Sequence, residues 1–164
     1  MKKGKLLRKI PIEGATGLND ITVTLKGIVF VSDSKTSRIW KLENDKPVLY
    51  LENITGANGL KAVNNDLYFA KGPALMKADA EKKITQIANV GKDIDGIEPV
   101  GNGDFLVSAW AGYIFYVYQD GHSDLLLDTH EQKKNTADIG YDPANRIVYV
   151  PTFFDKRIVA YRLQ

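Results

Sequence analysis

Four oxygen-bearing side chains stand at the head of short apolar runs: Asn19 in "LNDITV", Asn58 in "ANGLKAV", Asp95 in "DGIEPV" and Asp138 in "ADIGYD". Carboxylate and amide oxygens are hard donors that suit Ca²⁺, Mg²⁺ or Mn²⁺, and a carboxylate can also activate water as a general base. Asn-Gly and Asp-Gly are equally ordinary turn dipeptides, because both residues tolerate positive φ. The chemistry therefore depends on whether the fold carries these widely spaced residues to one place.

Other chemistries find little support. The chain has no Cys, which removes a disulfide scaffold, a thiolate metal site and a cysteine nucleophile together. His122 and His130 lack the spacing of a zinc-binding helix and read as solvated loop residues. The consecutive His, Ser and Asp of "GHSD" would point to alternating faces of a strand, so they form no triad. A nucleophile elbow and a glycine-rich phosphate loop are both missing. With 22 Lys+Arg against 20 Asp+Glu and the basic residues scattered, nucleic acid is a poor partner. "LLRKIPIEGA" lacks the apolar run of about 7 to 15 residues that makes a signal peptide, and no stretch is long enough to span a membrane. If Met1 is the native start, a cytoplasmic location follows by default.

The elements that must position the four residues read as strands. Gly, Asn-Gly and Asp-Gly punctuate short runs rich in Val, Ile, Tyr and Phe, predicting sixteen strands from 5–12 to 157–162. The one rival is a helix over "ALMKADAEKKITQIANV", whose Ala, Lys and Glu are good helix formers. Internal similarity decides against it. With Ile21, Leu60, Ile97 and Ile139 taken as equivalent, the spacings are 39, 37 and 42 residues. A period near 40 with four strands per unit is that of β-propeller blades. The expectation is all-β: one domain over residues 1–164 with blades at about 17–53, 56–90, 94–130 and 136–164.

The last unit holds only three strands, and "KLLRKIPI" is the one strand to spare. Segment 5–12 is therefore expected to pair with 157–162 and close a four-bladed ring, since closure removes exposed strand edges. The alternative is an open part of a larger propeller, for which self-association is expected. In "YIFYVY", alternation sends Tyr113, Phe115 and Val117 to one face and Ile114, Tyr116 and Tyr118 to the other, as for a strand buried between blades. Trp110, Phe153 and Phe154 are expected to pack between blades as well, with a ligand platform at the channel mouth as the other reading, taken for Trp110.

These motifs, from "LNDITV" through "ANGLKAV" and "DGIEPV" to "ADIGYDPANRIVYVPTFFDKRIVAY", resemble the senescence marker protein / gluconolactonase (regucalcin-like) family and the wider group of six-bladed propellers with NHL-like repeats. The chain would correspond to roughly the last four blades. The resemblance implies a divalent cation on the central axis, with Asn19, Asn58 and Asp95 at the matching positions and no counterpart for the family's first-blade Glu. It implies Asp95, or Asp138, as catalytic base of a lactone hydrolase, with Asn19 and Asn58 as ion and substrate ligands, while the place of Trp110 at the end of "FLVSAW" puts it against the substrate. With half of that architecture missing, the expected function is binding of a small molecule or divalent cation at the channel. A metal-dependent lactonase and a non-catalytic protein-interaction propeller are the alternatives.

Overall fold

The computed structural model describes residues 4–164. Fifteen strands form four antiparallel sheets. The first holds β1 (Leu18–Val23), β2 (Val29–Asp33), β3 (Arg38–Glu43) and β4 (Lys46–Leu51). The second holds β5 (Ala57–Val63), β6 (Asp66–Lys71), β7 (Ala74–Ala78) and β8 (Ile84–Asn89). The third holds β9 (Ile97–Gly101), β10 (Asp104–Ala109), β11 (Tyr113–Val117) and β12 (Ser123–Asp128). The fourth has three strands, β13 (Gly140–Asp142), β14 (Ile147–Pro151) and β15 (Ile158–Arg162). Each sheet is a meander in sequence order, and β1, β5, β9 and β13 touch one another in succession. They are the inner strands of four propeller blades.

Local chemistry explains the meanders. Asn44 and Asp45 both take positive φ between β3 and β4, as do Asn102 and Gly103 between β9 and β10. That is the two-residue turn whose twist matches flanking strands. The segment at issue between helix and strand forms β7, a turn and β8, because its apolar residues serve the cores on both sides of the blade, Leu75 and Ala88 one and Met76 and Ala78 the other.

Three apolar cores separate the four blades. Phe30, Ile39, Leu60 and Phe69 join the first to the second; Leu75, Ile97, Phe105 and Phe115 join the second to the third; Leu106, Ile114, Val148 and Val150 join the third to the fourth. β11 feeds two of them, Tyr113, Phe115 and Val117 on one side and Ile114 on the other, with Tyr116 packed beside it.

The expected ring closure is not made. Residues 5–12 form no strand, so β15 pairs only with β14 among the described residues. Among the described residues no core joins the fourth blade to the first, and β1 makes no contact with β13 comparable to those between successive inner strands. Instead Arg8 pairs with Asp45 at the outer turn of the first blade. Residues 13–17 tie segment 5–12 to β1, and the first blade does not pack on the fourth, so the segment is not carried to β15 of its own chain. The blades form an open arc.

Candidate functional site

Asn19, Asn58, Asp95, Trp110, Asp138 and Phe153 line one shallow depression of about 380 Å³ at the face where the inner strands begin. A local backbone device aims the first two blades' residues there. The pairing of β1 with β2 shifts register between Leu18 and Ile21, and that of β5 with β6 between Ala57 and Leu60. Asn19–Asp20 and Asn58–Gly59 therefore sit in bulges, which turn side chains out of the sheet's alternation.

The dipeptides are not the turns that their composition suggests. Neither Asn58, Gly59, Asp95 nor Gly96 has positive φ. A Cβ on Gly59 would stand 2.1 Å from the backbone oxygen of Asp95, and one on Gly96 would stand 2.5 Å from Oδ1 of Asp138. Glycine is present because the next blade arrives there, which is a packing requirement rather than a conformational one.

The phase of the polar residues follows. Two positions before the equivalent Ile21, Leu60, Ile97 and Ile139 stand Asn19, Asn58, Asp95 and Ala137; one position before stand Asp20, Gly59, Gly96 and Asp138. Asn58 Nδ2 donates to Asp95 Oδ1 at 2.9 Å, joining the second blade to the third. Asp20 Oδ1 accepts from Ile21 N and Oδ2 from Leu60 N, both at 2.6 Å, joining the first to the second. Asn19 Nδ2 donates to Ser34 Oγ at 2.9 Å. Asp138 Oδ1 accepts from Ile139 N at 2.9 Å.

Burial raises the carboxyl of Asp95 above its ordinary range, against the hydrogen bond from Asn58 and with a further push from the charge of Asp138. Burial raises Asp20 too; the amides of Leu60 and Ile21 oppose this, and the charges of Asp138 and Asp95 add to it. Asp138 is raised by burial despite the Ile139 amide and the nearby Lys61. Two partly desolvated carboxylates, Asp95 and Asp138, thus repel each other in the mouth, and Asp20 is near enough to share in that repulsion.

An aromatic wall stands beside them. Trp110 is 45% exposed, not packed between blades as expected, and Phe153 and Phe154 are more exposed still. The three rings meet edge to face, with centroids 6.0 Å (Trp110–Phe153), 6.1 Å (Trp110–Phe154) and 4.8 Å (Phe153–Phe154) apart. Phe153 opens a 3₁₀ turn, Phe153–Asp155, with φ of 48°, a costly conformation for a bulky residue.

Sequence reasoning passed over two supports. Ser108, fully buried, accepts from Gly96 N at 2.9 Å and donates to Ala137 O at 2.7 Å, bracing the third and fourth blades' edges of the mouth. Ser32 holds Asp20 N at 2.9 Å from the same repeat position, and the shared "VS" of "VFVSD" and "FLVSAW" was the available signal. Along the inner strands, Lys61 Nζ donates to Glu98 Oε2 at 2.7 Å; both residues directly follow the equivalent apolar position. His122 and His130 are exposed and pair locally with Asp120 and Asp128, outside the residues that line the mouth.

As arranged, the mouth does not present a metal cage. Among the described residues no group of three or more His, Cys, Asp or Glu is placed to hold an ion. Asp20 has both oxygens on backbone amides, and Asn58 turns its amide nitrogen to Asp95.

No family model matches the chain, and no curated protein matches it. Solved structures do. Virginiamycin B lyase from Staphylococcus aureus superposes with a TM-score of 0.66 at 17% identity, over 90% of this chain and 56% of the lyase. A nidogen/laminin complex gives 0.74 at 12%, over 94% of this chain and 62% of that one. The luciferin-regenerating enzyme gives 0.65 at 16%, over 82% and 53%. At such identities the likeness establishes the β-propeller fold and nothing finer; the chain spans little more than half of the lyase.

Proposed function

We propose that the channel mouth is a binding site for a small organic molecule with a cationic head. The observation that carries this reading is the meeting, in one depression, of two mutually repelling carboxylates, Asp95 and Asp138, with an exposed aromatic wall of Trp110 and Phe153. A cation relieves the repulsion, and the faces of Trp110 and Phe153 attract an organic cation in a way that they do not attract a hydrated metal ion. A divalent cation held by Asp95, Asp138 and Asn58, the second reading, requires the Asn58 amide to turn over and Asp95 to exchange that hydrogen bond for an ion. The lactone-hydrolysing activity implied by the resemblance to the gluconolactonase family would use Asp95 or Asp138 as base and rests on that second reading.

Thermal unfolding with tetramethylammonium, with Ca²⁺ or Mn²⁺, and with neither separates these readings. Ligand at about ten times its Kd adds ~1.4 kcal/mol, a rise of roughly 3 to 6 °C for a chain of this size. The expected pattern is a rise with the organic cation that Asp95→Ala and Trp110→Ala both remove, while Glu81→Gln on an outer turn leaves it intact. A rise with metal alone, indifferent to Trp110→Ala and accompanied by gluconolactone hydrolysis, would establish the lactonase reading. No rise with either kind of cation would sink the proposal.

A further inference from the structure

The arc leaves complementary features unmatched at its two ends. On the fourth blade, β15 offers the free edge of a three-stranded sheet. Below that edge lies a cleft of about 310 Å³ whose walls include Ile114, Leu127, Val148, Tyr161 and Leu163, where the inward side chains of a fourth strand would seat. The blade's outer flank exposes Tyr149 and Ile158. On the first blade, register places Ile21, Val31, Trp40 and Leu49 in one row and Val23, Val29, Leu42 and Pro47 in the next. This is a sheet face of the kind that faces a neighbouring blade elsewhere in the molecule, and Ile21, Val23 and Leu49 on it are exposed.

We infer that a second copy of this chain docks its first blade against the fourth blade of the first copy and lays its own segment 5–12 along β15 as the missing strand. Two observations select this occupant. Segment 5–12 joins no sheet among the described residues and is held by little: Leu6 is 71% and Leu7 83% exposed, and the Arg8–Asp45 ion pair is solvent-exposed, a class of contact worth little. The link from Ile12 to β1 is also the right length, since residues 13–17 span the same five positions as residues 52–56, which carry the outer strand β4 into the inner strand β5 of the next blade. Made between two copies in both directions, the exchange is a closed, two-fold arrangement. It pairs the open edge, covers both apolar flanks and walls the side of the channel that one arc leaves open.

Light scattering on the full chain should report twice the mass of a single chain, with exchange-competent subunits. Leu6→Asp combined with Leu7→Asp removes nothing from a folded core, so its monomer should keep its β-sheet circular dichroism while association weakens roughly 30-fold, the effect of losing a well-buried contact. Because the chain lacks Cys, Leu7→Cys and Ala160→Cys variants can be mixed and treated with a short bismaleimide. Cross-links between unlike chains are expected. A monomer at every concentration, a dimer insensitive to the paired Asp substitutions, or the absence of any cross-link between the Leu7→Cys and Ala160→Cys chains would each overturn the inference.

Discussion

Gly59 offers the most direct test of how the mouth is assembled, because adding one methyl group there meets a backbone atom. The Cβ of an alanine would stand 2.1 Å from the Asp95 oxygen and 3.3 Å from Cγ1 of Ile97. Neither can swing aside as a surface side chain would, so the inner strands of the second and third blades must part by more than an ångström. That movement takes the Asn58–Asp95 hydrogen bond from 2.9 Å to beyond bonding distance. Overpacking costs about 1 to 3 kcal/mol and the lost bond about 1 kcal/mol, against a gain of about 0.4 to 1 kcal/mol from a stiffer unfolded chain. The net is a loss of ~2 kcal/mol, or roughly 4 to 8 °C in the thermal midpoint.

Gly140, at the start of β13, is the internal control. A Cβ there meets nothing within 4 Å, and its φ is not left-handed. Gly140→Ala should retain only the unfolded-state gain of about 0.4 to 1 kcal/mol and melt slightly higher than the parent. The same substitution thus has opposite signs at two inner-strand sites. Circular dichroism melts of the two variants are sufficient to check it. A Gly59→Ala protein that melts at or above the parent would show that the blades are not in the contact described.

Two further outcomes concern the carboxylates. Asp20→Asn should cost about 1 to 3 kcal/mol, since each of its oxygens accepts a backbone amide and an amide nitrogen cannot; Asp95→Asn keeps the single acceptor that Asn58 needs and should be neutral or stabilising in urea titrations. Equal effects at the two positions would contradict the assignment of roles. Raised carboxyls also give a sign to the pH dependence: their folded values lie above the unfolded ones, so the penalty is fully present above the folded values and is relieved as pH falls through them. The urea midpoint should therefore rise from pH 7 toward the upper edge of the carboxylate range, less so in Asp95→Asn. At lower pH, Asp33 reverses the trend, because hydrogen bonds outweigh its burial and hold it below the ordinary value, and its contribution is lost on protonation.

The blades were legible because a strand between two neighbours must be apolar at alternate positions on both faces, and turns need residues that accept positive φ. "YIFYVY" and "GNGD" carry those requirements openly. Ring closure was not legible, since counting strands says nothing of whether four blades bring the first against the fourth. Leu6 and Leu7 of segment 5–12 remain in solvent. The aromatic wall was legible only in part for a related reason: Trp110, Phe153 and Phe154 have core-like composition, and the loops after β10 and β14 leave all three exposed, with Trp110 and Phe153 lining the mouth.

The repeat itself explains which acidic residues face the channel. Where a following blade's backbone presses in, the position before the equivalent apolar residue is reduced to glycine, as at Gly59 and Gly96, and the polar group moves one residue earlier, to Asn58 and Asp95. In the first blade a carboxylate at that position reaches over the seam and accepts the next blade's amide, so Asp20 spends itself on structure. In the fourth blade no described blade follows, the constraint lapses, and Asp138 occupies the glycine position with its charge directed at the mouth. Asp138, which lines the mouth and engages Ile139 N through Oδ1, therefore stands at the end of the arc that a second copy would cover.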